Sequence, residues 1–363
     1  MGRGAKALLV LAIVGVVGAG VALASSGSKS PSTPSAAAAA TAKMTDAELI
    51  GQRLVAGYVG TTPPKAVLSA ARAGRIGGVI LFANNIGSPS QARAALRKLQ
   101  AAAKAGGNPP LLTTVDQEGG IVQRLPTLPP TKSPAQIGKS ANPAATGLAQ
   151  GRATGRALRR YGFNVNFAPV VDVPRVASSF LGNRAYSHIA AVVADAGCAF
   201  AGGIQQGGVS ATFKHFPGLG RAGADTDFSD VTINATQSQV ESDWAAYRKC
   251  PGIPAFTMIA SASYPKLGIN QPASLVKKTY SLLASTGFKG LTITDAFETP
   301  QFTDRPDAAR TAMLAGADVV LYGEAWPKAM AARRRLVADV AAGRLTRAQL
   351  QPAAERIVAL KLR

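Results

Sequence analysis

Histidine is the scarcest functional side chain in this sequence of 363 residues, which holds only His188 and His215. A metal centre built from several imidazoles cannot form from two, and that excludes the His-rich metallohydrolases. Cysteine is equally scarce, with Cys198 and Cys250 the only pair. In an exported chain an even pair raises the prospect of one disulfide, while two reduced, buried cysteines fit the sequence as well. Carboxylates are few: 19 Asp plus Glu stand against 40 Lys plus Arg, a formal net charge of +21. Such a balance suits electrostatic association with an anionic cell envelope, and equally a solvated basic surface. No basic motif interleaved with aromatics occurs, so nucleic acid is not an expected partner. What the chain does have is apolar mass. Hydrophobic residues make up 47% of it, enough to bury a sizeable core and too many for a disordered chain. The length allows two average domains or one α/β barrel of about 250 residues or more.

The N-terminus has the layout of a targeting segment. Arg3 and Lys6 precede an apolar run from Ala7 to Ala24, and Ala22-Leu23-Ala24 offers a small-x-small cleavage site before Ser25. Residues 1–24 are therefore expected to act as a signal peptide or an N-terminal anchor. The protein would be secreted, or held at the outer face of the cytoplasmic membrane if the segment stays uncleaved. No cysteine lies near this site, so an anchor through an acylated N-terminal Cys is excluded. Residues 25–43, rich in Ser, Pro and Ala, suggest a tether of about twenty residues. The folded part is expected over 44–363, opening at Thr45-Asp46-Ala47-Glu48 with the spacing of a capping box.

Beyond Thr45, short apolar runs rich in β-formers recur: 54–59, 78–82, 111–115, 165–171, 209–213, 255–260, 291–294 and 318–322. Between them lie stretches with apolar residues at threes and fours, such as 89–105 and 143–161. Continuous apolar strands alternating with helices predict a parallel sheet covered by helices. Eight such units predict an α/β fold of the (β/α)8 TIM-type barrel class in a single domain, with a doubly wound open sheet as the rival. A barrel carries its chemistry just after the strands, and the polar residues comply: Asp116, Asp172, Lys214, His215 and Asp295 all stand at strand ends. Any one strand-end Asp could simply cap the next helix; several converging on one mouth are harder to explain that way. The Gly218-Leu219-Gly220-Arg221-Ala222-Gly223 run matches a dinucleotide fingerprint. That fingerprint requires a helix to start among its glycines. The acidic, non-periodic run Ala224 to Asp230 follows instead, and it would repel phosphate.

Lys214-His215-Phe216-Pro217-Gly218-x-Gly220 does more than end a strand. Upstream stand Val115-Asp116-Gln117-Glu118-Gly119-Gly120, Gln123-Arg124, Asn166-Phe167-Ala168-Pro169-Val170-Val171-Asp172 and Asn183-Arg184-Ala185-Tyr186. Together and in register these motifs resemble glycoside hydrolase family 3, most closely its single-domain bacterial β-N-acetylglucosaminidases, over about Thr45 to Arg363. The resemblance implies exo-acting removal of a terminal β-linked sugar with retention of configuration and no metal or organic cofactor. It makes Asp295 the nucleophile. It also makes Asp116, Arg124, Arg184, Lys214 and His215 the residues that grip the sugar, in keeping with their chemistry: carboxylates accept from hydroxyls, cations donate and hold Asp295 ionised. His188 is given no chemistry.

The sequence departs from the family at the acid/base. Where these relatives carry an Asp-Ser-His run, this chain has Asp225-Thr226-Asp227, and the His of their Pro-Gly-His-Gly is Leu219. In one reading Asp227, beside Asp225, replaces the imidazole: two close carboxylates hold one proton to higher pH, as a general acid requires, and repel phosphate as an acceptor. In the other the dyad is broken, leaving a slow enzyme or a wall-sugar-binding protein. Glycines 218, 220 and 223 suggest a loop able to swing over bound sugar. The expected substrate is β-linked N-acetylglucosamine at the end of peptidoglycan fragments or chitooligosaccharides, with a β-glucosidase or β-xylosidase as the alternative. Oligomeric state is not readable.

Overall fold

The computed structural model describes residues 1–2 and 35–363, apart from Ser178. The targeting segment, beyond its first two residues, and residues 25–34 of the expected tether lie outside the described residues. Within them, no helix is long and apolar enough to cross a membrane.

The expectation of a tether as far as Lys43 needs correction. Ala36–Ala42 form a helix, N-capped by Ser35, with Ala37 and Thr41 buried. Alanine has the highest helix propensity, and the Arg347 guanidinium donates to the carbonyls of Thr41 and Met44, docking this turn onto the C-terminal helix Arg347–Lys361. The capping box at Thr45 forms as expected: Glu48 accepts from the Thr45 amide at 2.7 Å, and Thr45 Oγ1 accepts from the Glu48 amide.

Ten strands follow: β1 (Leu54–Ala56), β2 (Gly78–Leu81), β3 (Leu112–Val115), β4 (Gln117–Gly119), β5 (Val122–Gln123), β6 (Val165–Asn166), β7 (Ser210–Phe216), β8 (Phe256–Ile259), β9 (Leu291–Ala296) and β10 (Val319–Tyr322). Eight close into a parallel barrel in the order β1-β10-β9-β8-β7-β6-β3-β2, while β4 and β5 form a hairpin beyond β3. This is the (β/α)8 barrel, and the open-sheet rival is set aside. Leucine, isoleucine, valine, phenylalanine and methionine from alternate positions fill the interior, among them Val55, Ile80, Leu112, Phe167, Met258, Ile293 and Leu321. A second apolar layer joins the outer strand faces to helices such as Pro89–Ala105, Pro143–Arg160 and Ala190–Gln206.

Two strands differ instructively from the sequence reading. The run 165–171 pairs regularly only over Val165–Asn166, because Pro169 has no amide to donate; pairing resumes as a single bridge between Val170 and Lys214. Strand β7 instead runs beyond Phe213 to Phe216, so Lys214 and His215 stand on the strand itself. At the opposite end of the barrel, buried Arg53 donates to the carbonyls of Asp318 and Ala317 and to that of Gln349, tying β1, β10 and the last helix together. Cys198 and Cys250 are joined as a disulfide between Ala190–Gln206 and the end of the short helix Ala245–Lys249. Beside this bridge, Trp244 Nε1 donates to Pro217 O at 2.6 Å, and Tyr247 packs edge-on against Phe213 and Phe216.

Candidate active site

Beyond the C-terminal ends of the strands a pocket opens whose wall includes Asp116, Arg124, Arg184, Lys214, His215, Asp225, Asp227 and Asp295. All eight residues singled out in the sequence for catalysis or sugar binding therefore meet in one place. His188 is exposed and does not line the pocket.

The floor is a closed network of opposite charges. Lys214 Nζ donates to Asp116 Oδ1 and to Glu118 Oε1, each at 2.7 Å. Arg184 grips Glu118 with two nitrogens, Nε at 2.9 Å and Nη2 at 3.0 Å. Burial alone would drive the Glu118 carboxyl upward, but Lys214 and Arg184 together outweigh it and hold the pKa at about 2. Burial likewise opposes charge on Lys214 and Arg184, and their carboxylate partners overcome it and raise both. Glu118, Lys214 and Arg184 therefore stay ionised across the neutral range. Arg124 lies with its guanidinium carbon 5.5 Å from the centre of the Phe82 ring, and its buried Nε–H has no partner among the described residues. A buried donor without an acceptor is costly, and a sugar oxygen in the pocket would satisfy it.

His215 is fixed by Asp172. Asp172 Oδ2 lies 2.7 Å from His215 Nδ1 and accepts from the His215 amide at 3.1 Å. Its Oδ1 accepts from the Leu219 amide at 2.7 Å, so the same carboxylate holds the imidazole and the root of the following loop. The loop then needs two glycines. Gly218 has φ +135°, and a Cβ on Gly220 would collide with the Val173 carbonyl. No helix begins here before Gln237, which removes the dinucleotide-binding reading. Further on the chain makes a tight turn: Asp225 Oδ1 accepts from the Asp227 amide at 3.0 Å, and Asp225 O from the amides of Phe228 and Ser229. Gln301 Nε2 donates to the carbonyls of Thr226 and Ser229 at 2.8 and 2.7 Å, pinning the turn over the pocket.

Asp227 differs from the floor carboxylates. Burial, then the nearby Asp295 and Asp225, push its pKa from 3.8 to about 7, against a smaller downward pull from His215 and Arg184. Asp295 ends β9, where its Oδ1 accepts from the Ala296 amide at 2.9 Å. The site thus offers a carboxylate on a strand end and, above it, a carboxyl that holds its proton to neutral pH. That pairing suits nucleophile and general acid.

Two carboxylates carry more of the site than the sequence reading assigned them. Glu118 anchors Arg184 and Lys214, and Asp172 orients His215. Their partners stand 66, 96 and 43 positions away, so only the closed barrel brings them together. The signals in the sequence were their place after strands and inside the quoted motifs, neither of which names their partners. Among the described residues no cluster of three or more His, Cys, Asp or Glu is arranged to hold a metal ion.

Comparison with known proteins agrees with this geometry. The profile of the glycosyl hydrolase family 3 N-terminal domain matches residues 50–360. An "uncharacterized secreted glycosyl hydrolase" of Arthroderma benhamiae is 34% identical over 330 residues, covering 86% of this chain and 92% of that protein. A "beta-hexosaminidase" of Nitrosomonas eutropha is 34% identical over 230 residues, covering 61% of this chain and 65% of that one. Among solved structures, a glycoside hydrolase family 3 β-N-acetylglucosaminidase from Paenibacillus sp. superposes with a TM-score of 0.83 at 29% identity. The match covers 88% of this chain but 62% of that one, so the chain spans somewhat less than two thirds of these last two proteins.

Proposed function

This chain belongs to glycoside hydrolase family 3 and is a glycoside hydrolase, and on that premise we propose that it is an exported, exo-acting, retaining β-N-acetylhexosaminidase that releases terminal β-linked N-acetylglucosamine. Asp116, Arg124, Arg184, Lys214 and His215 hold the terminal sugar through its hydroxyls and ring substituent. Asp295 attacks the anomeric carbon as its bond to the glycosidic oxygen breaks, and Asp227 gives that oxygen its proton. Water then attacks the glycosyl-enzyme, Asp227 takes the proton back, and Asp295 departs as carboxylate. Asp225, whose side chain accepts from the Asp227 amide, fixes the turn and helps keep the proton on Asp227.

The observation that supports this most is the contrast between Asp227 and its neighbours. A carboxyl at the exposed edge of the loop, partly desolvated and raised to about 7, lines the same pocket as Asp295. A general acid works best with a pKa near the operating pH, so an Asp can stand where relatives carry His.

The test uses the purified protein and aryl β-N-acetylglucosaminide beside aryl β-glucoside, from about pH 4 to about pH 8. Preferential turnover of the acetylated sugar, with a 5-fluoro-N-acetylglucosaminyl donor trapped on the peptide bearing Asp295, is the expected outcome. Preference for the glucoside would reassign the substrate. Sugar binding without turnover or trapping would make the protein a binder.

A further inference from the structure

Outside the charged pocket, the rim changes character. Phe228 directly follows Asp227 and is 80% exposed, and Ile121, beside the pocket-lining Val122, is 65% exposed. Half-buried Phe180 lines the pocket as well. A single exposed apolar side chain needs no explanation. Two exposed ones, each adjacent in sequence to a pocket-lining residue, with an aromatic between pocket and rim, are a different matter.

Both exposed residues are held firmly by their backbones. Phe228 belongs to the turn that Gln301 pins from beneath, and its own amide donates to Asp225 O. Ile121 sits at the tip of the β4–β5 hairpin, where its amide donates to Asn183 Oδ1 at 3.3 Å, one residue from Arg184. Neither side chain belongs to the core, so neither is there to stabilise the fold.

The charge around this rim is equally particular. From Ala222 to Asp230 the loop carries Asp225, Asp227 and Asp230 and no Lys or Arg. The neighbouring cations are turned to protein partners. Arg221 goes to Asp243 and the Gln239 carbonyl, and Arg305 to the Gln301 carbonyl and Gln271. Screening confines charge effects to roughly 8 Å at physiological ionic strength, so Asp225 and Asp230 beside the protonated Asp227, rather than the net +21, set the field a leaving group meets.

We infer that Phe228, with Ile121 and Phe180, forms an aglycone platform that takes an uncharged second pyranose, as in a chitooligosaccharide, and disfavours a leaving sugar that bears a carboxylate. The inference rests on the proposed function, because it places the scissile oxygen at Asp227. Phe228, next in sequence to the acid and 80% exposed on the same turn, then stands at the rim on the leaving-group side. The apolar face of a neutral pyranose covers the Phe228 ring, and a carboxylate there meets like charge.

The experiment reads binding alone. The full chain carrying Asp295→Asn, which binds without turnover, is titrated calorimetrically with three sugars. These are N-acetylglucosamine, N,N′-diacetylchitobiose, and the disaccharide whose reducing unit carries a lactyl carboxylate. The neutral disaccharide is expected to bind more tightly than the other two. Adding Phe228→Ala is expected to lower its advantage over the monosaccharide by roughly three- to tenfold, and Phe228→Tyr to keep it. Because Phe228 is exposed, its removal leaves the core untouched. An unchanged ratio in Phe228→Ala, or equal affinity for the acidic disaccharide, overturns the platform while leaving the glycosidase reading intact. Failure to bind any of the three overturns both, and is recognised by the loss of monosaccharide binding itself.

Discussion

The floor of the pocket and the loop above it solve opposite problems with the same side chain. On the floor, Glu118 lies between Lys214 and Arg184 and is held at about 2. On the loop, Asp227 is exposed at one edge, yet partial desolvation and two further carboxylates raise it to about 7. Desolvation pushes both carboxyls upward, Glu118 from full burial and Asp227 only in part, so the larger difference lies in the company. Where cations are within hydrogen-bond reach the carboxyl gives up its proton, and where carboxylates are the nearer neighbours it keeps one.

The comparison can be broken at either region. The largest effect is expected at the nucleophile: Asp295→Ala should lower kcat by roughly 10⁴-fold or more, in line with removal of nucleophiles elsewhere. Fluorinated-donor trapping followed by peptide mass analysis checks this. Next comes Asp227→Ala, which should lower kcat on a disaccharide by roughly 10²–10⁴-fold. On an aryl glycoside, whose leaving group needs little protonation, the loss should be much smaller. Equal losses on both substrates would mean that Asp227 holds the loop rather than donating a proton.

The floor is tested by Glu118→Gln, which leaves Lys214 and Arg184 without their shared buried partner. A loss of about 3–5 kcal/mol of stability is expected, read by denaturant unfolding. Because its folded pKa lies below the ordinary carboxyl value, the stability that Glu118 contributes is present above about 4.5 and fades as the pH falls through about 2. The smallest effect belongs to the loop and has the opposite sign. Asp227 has a folded pKa of about 7 against 3.8 when unperturbed, so between these values the folded protein holds a proton that the unfolded chain has lost. Stability should fall as the pH rises through this window. Asp227→Asn should remove that fall, raising Tm at pH 8 by about a few degrees and leaving it unchanged near pH 4.

Much of the barrel was legible in the sequence because it rests on local pattern. The eight apolar runs became the eight barrel strands, and the helix expected over 89–105 has those bounds. The failures share a cause. The Ala-rich stretch after Ser35 has the composition of a tether, and its helix is fixed by Arg347, some 300 positions away. Strand β6 is cut short by Pro169, although the apolar run continues. At the site, the motifs marked residues that line the pocket, but not the anchoring work of Glu118 or Asp172, which depends on partners from other strands and loops. Nor could the sequence decide whether Asp227 would find itself among cations or carboxylates. That depends on the turn over the pocket, where Asp295 and Asp225 are its carboxylate neighbours.

The most direct measurement is therefore the pH dependence of kcat/KM for N,N′-diacetylchitobiose, in the parent protein and in Asp227→Asn. The account predicts that the parent's rate falls away above a pKa of about 7, and that the variant, though much slower, shows no such limb. A limb of the same position in Asp227→Asn would assign the titrating proton to another group and contradict the placing of the acid on Asp227.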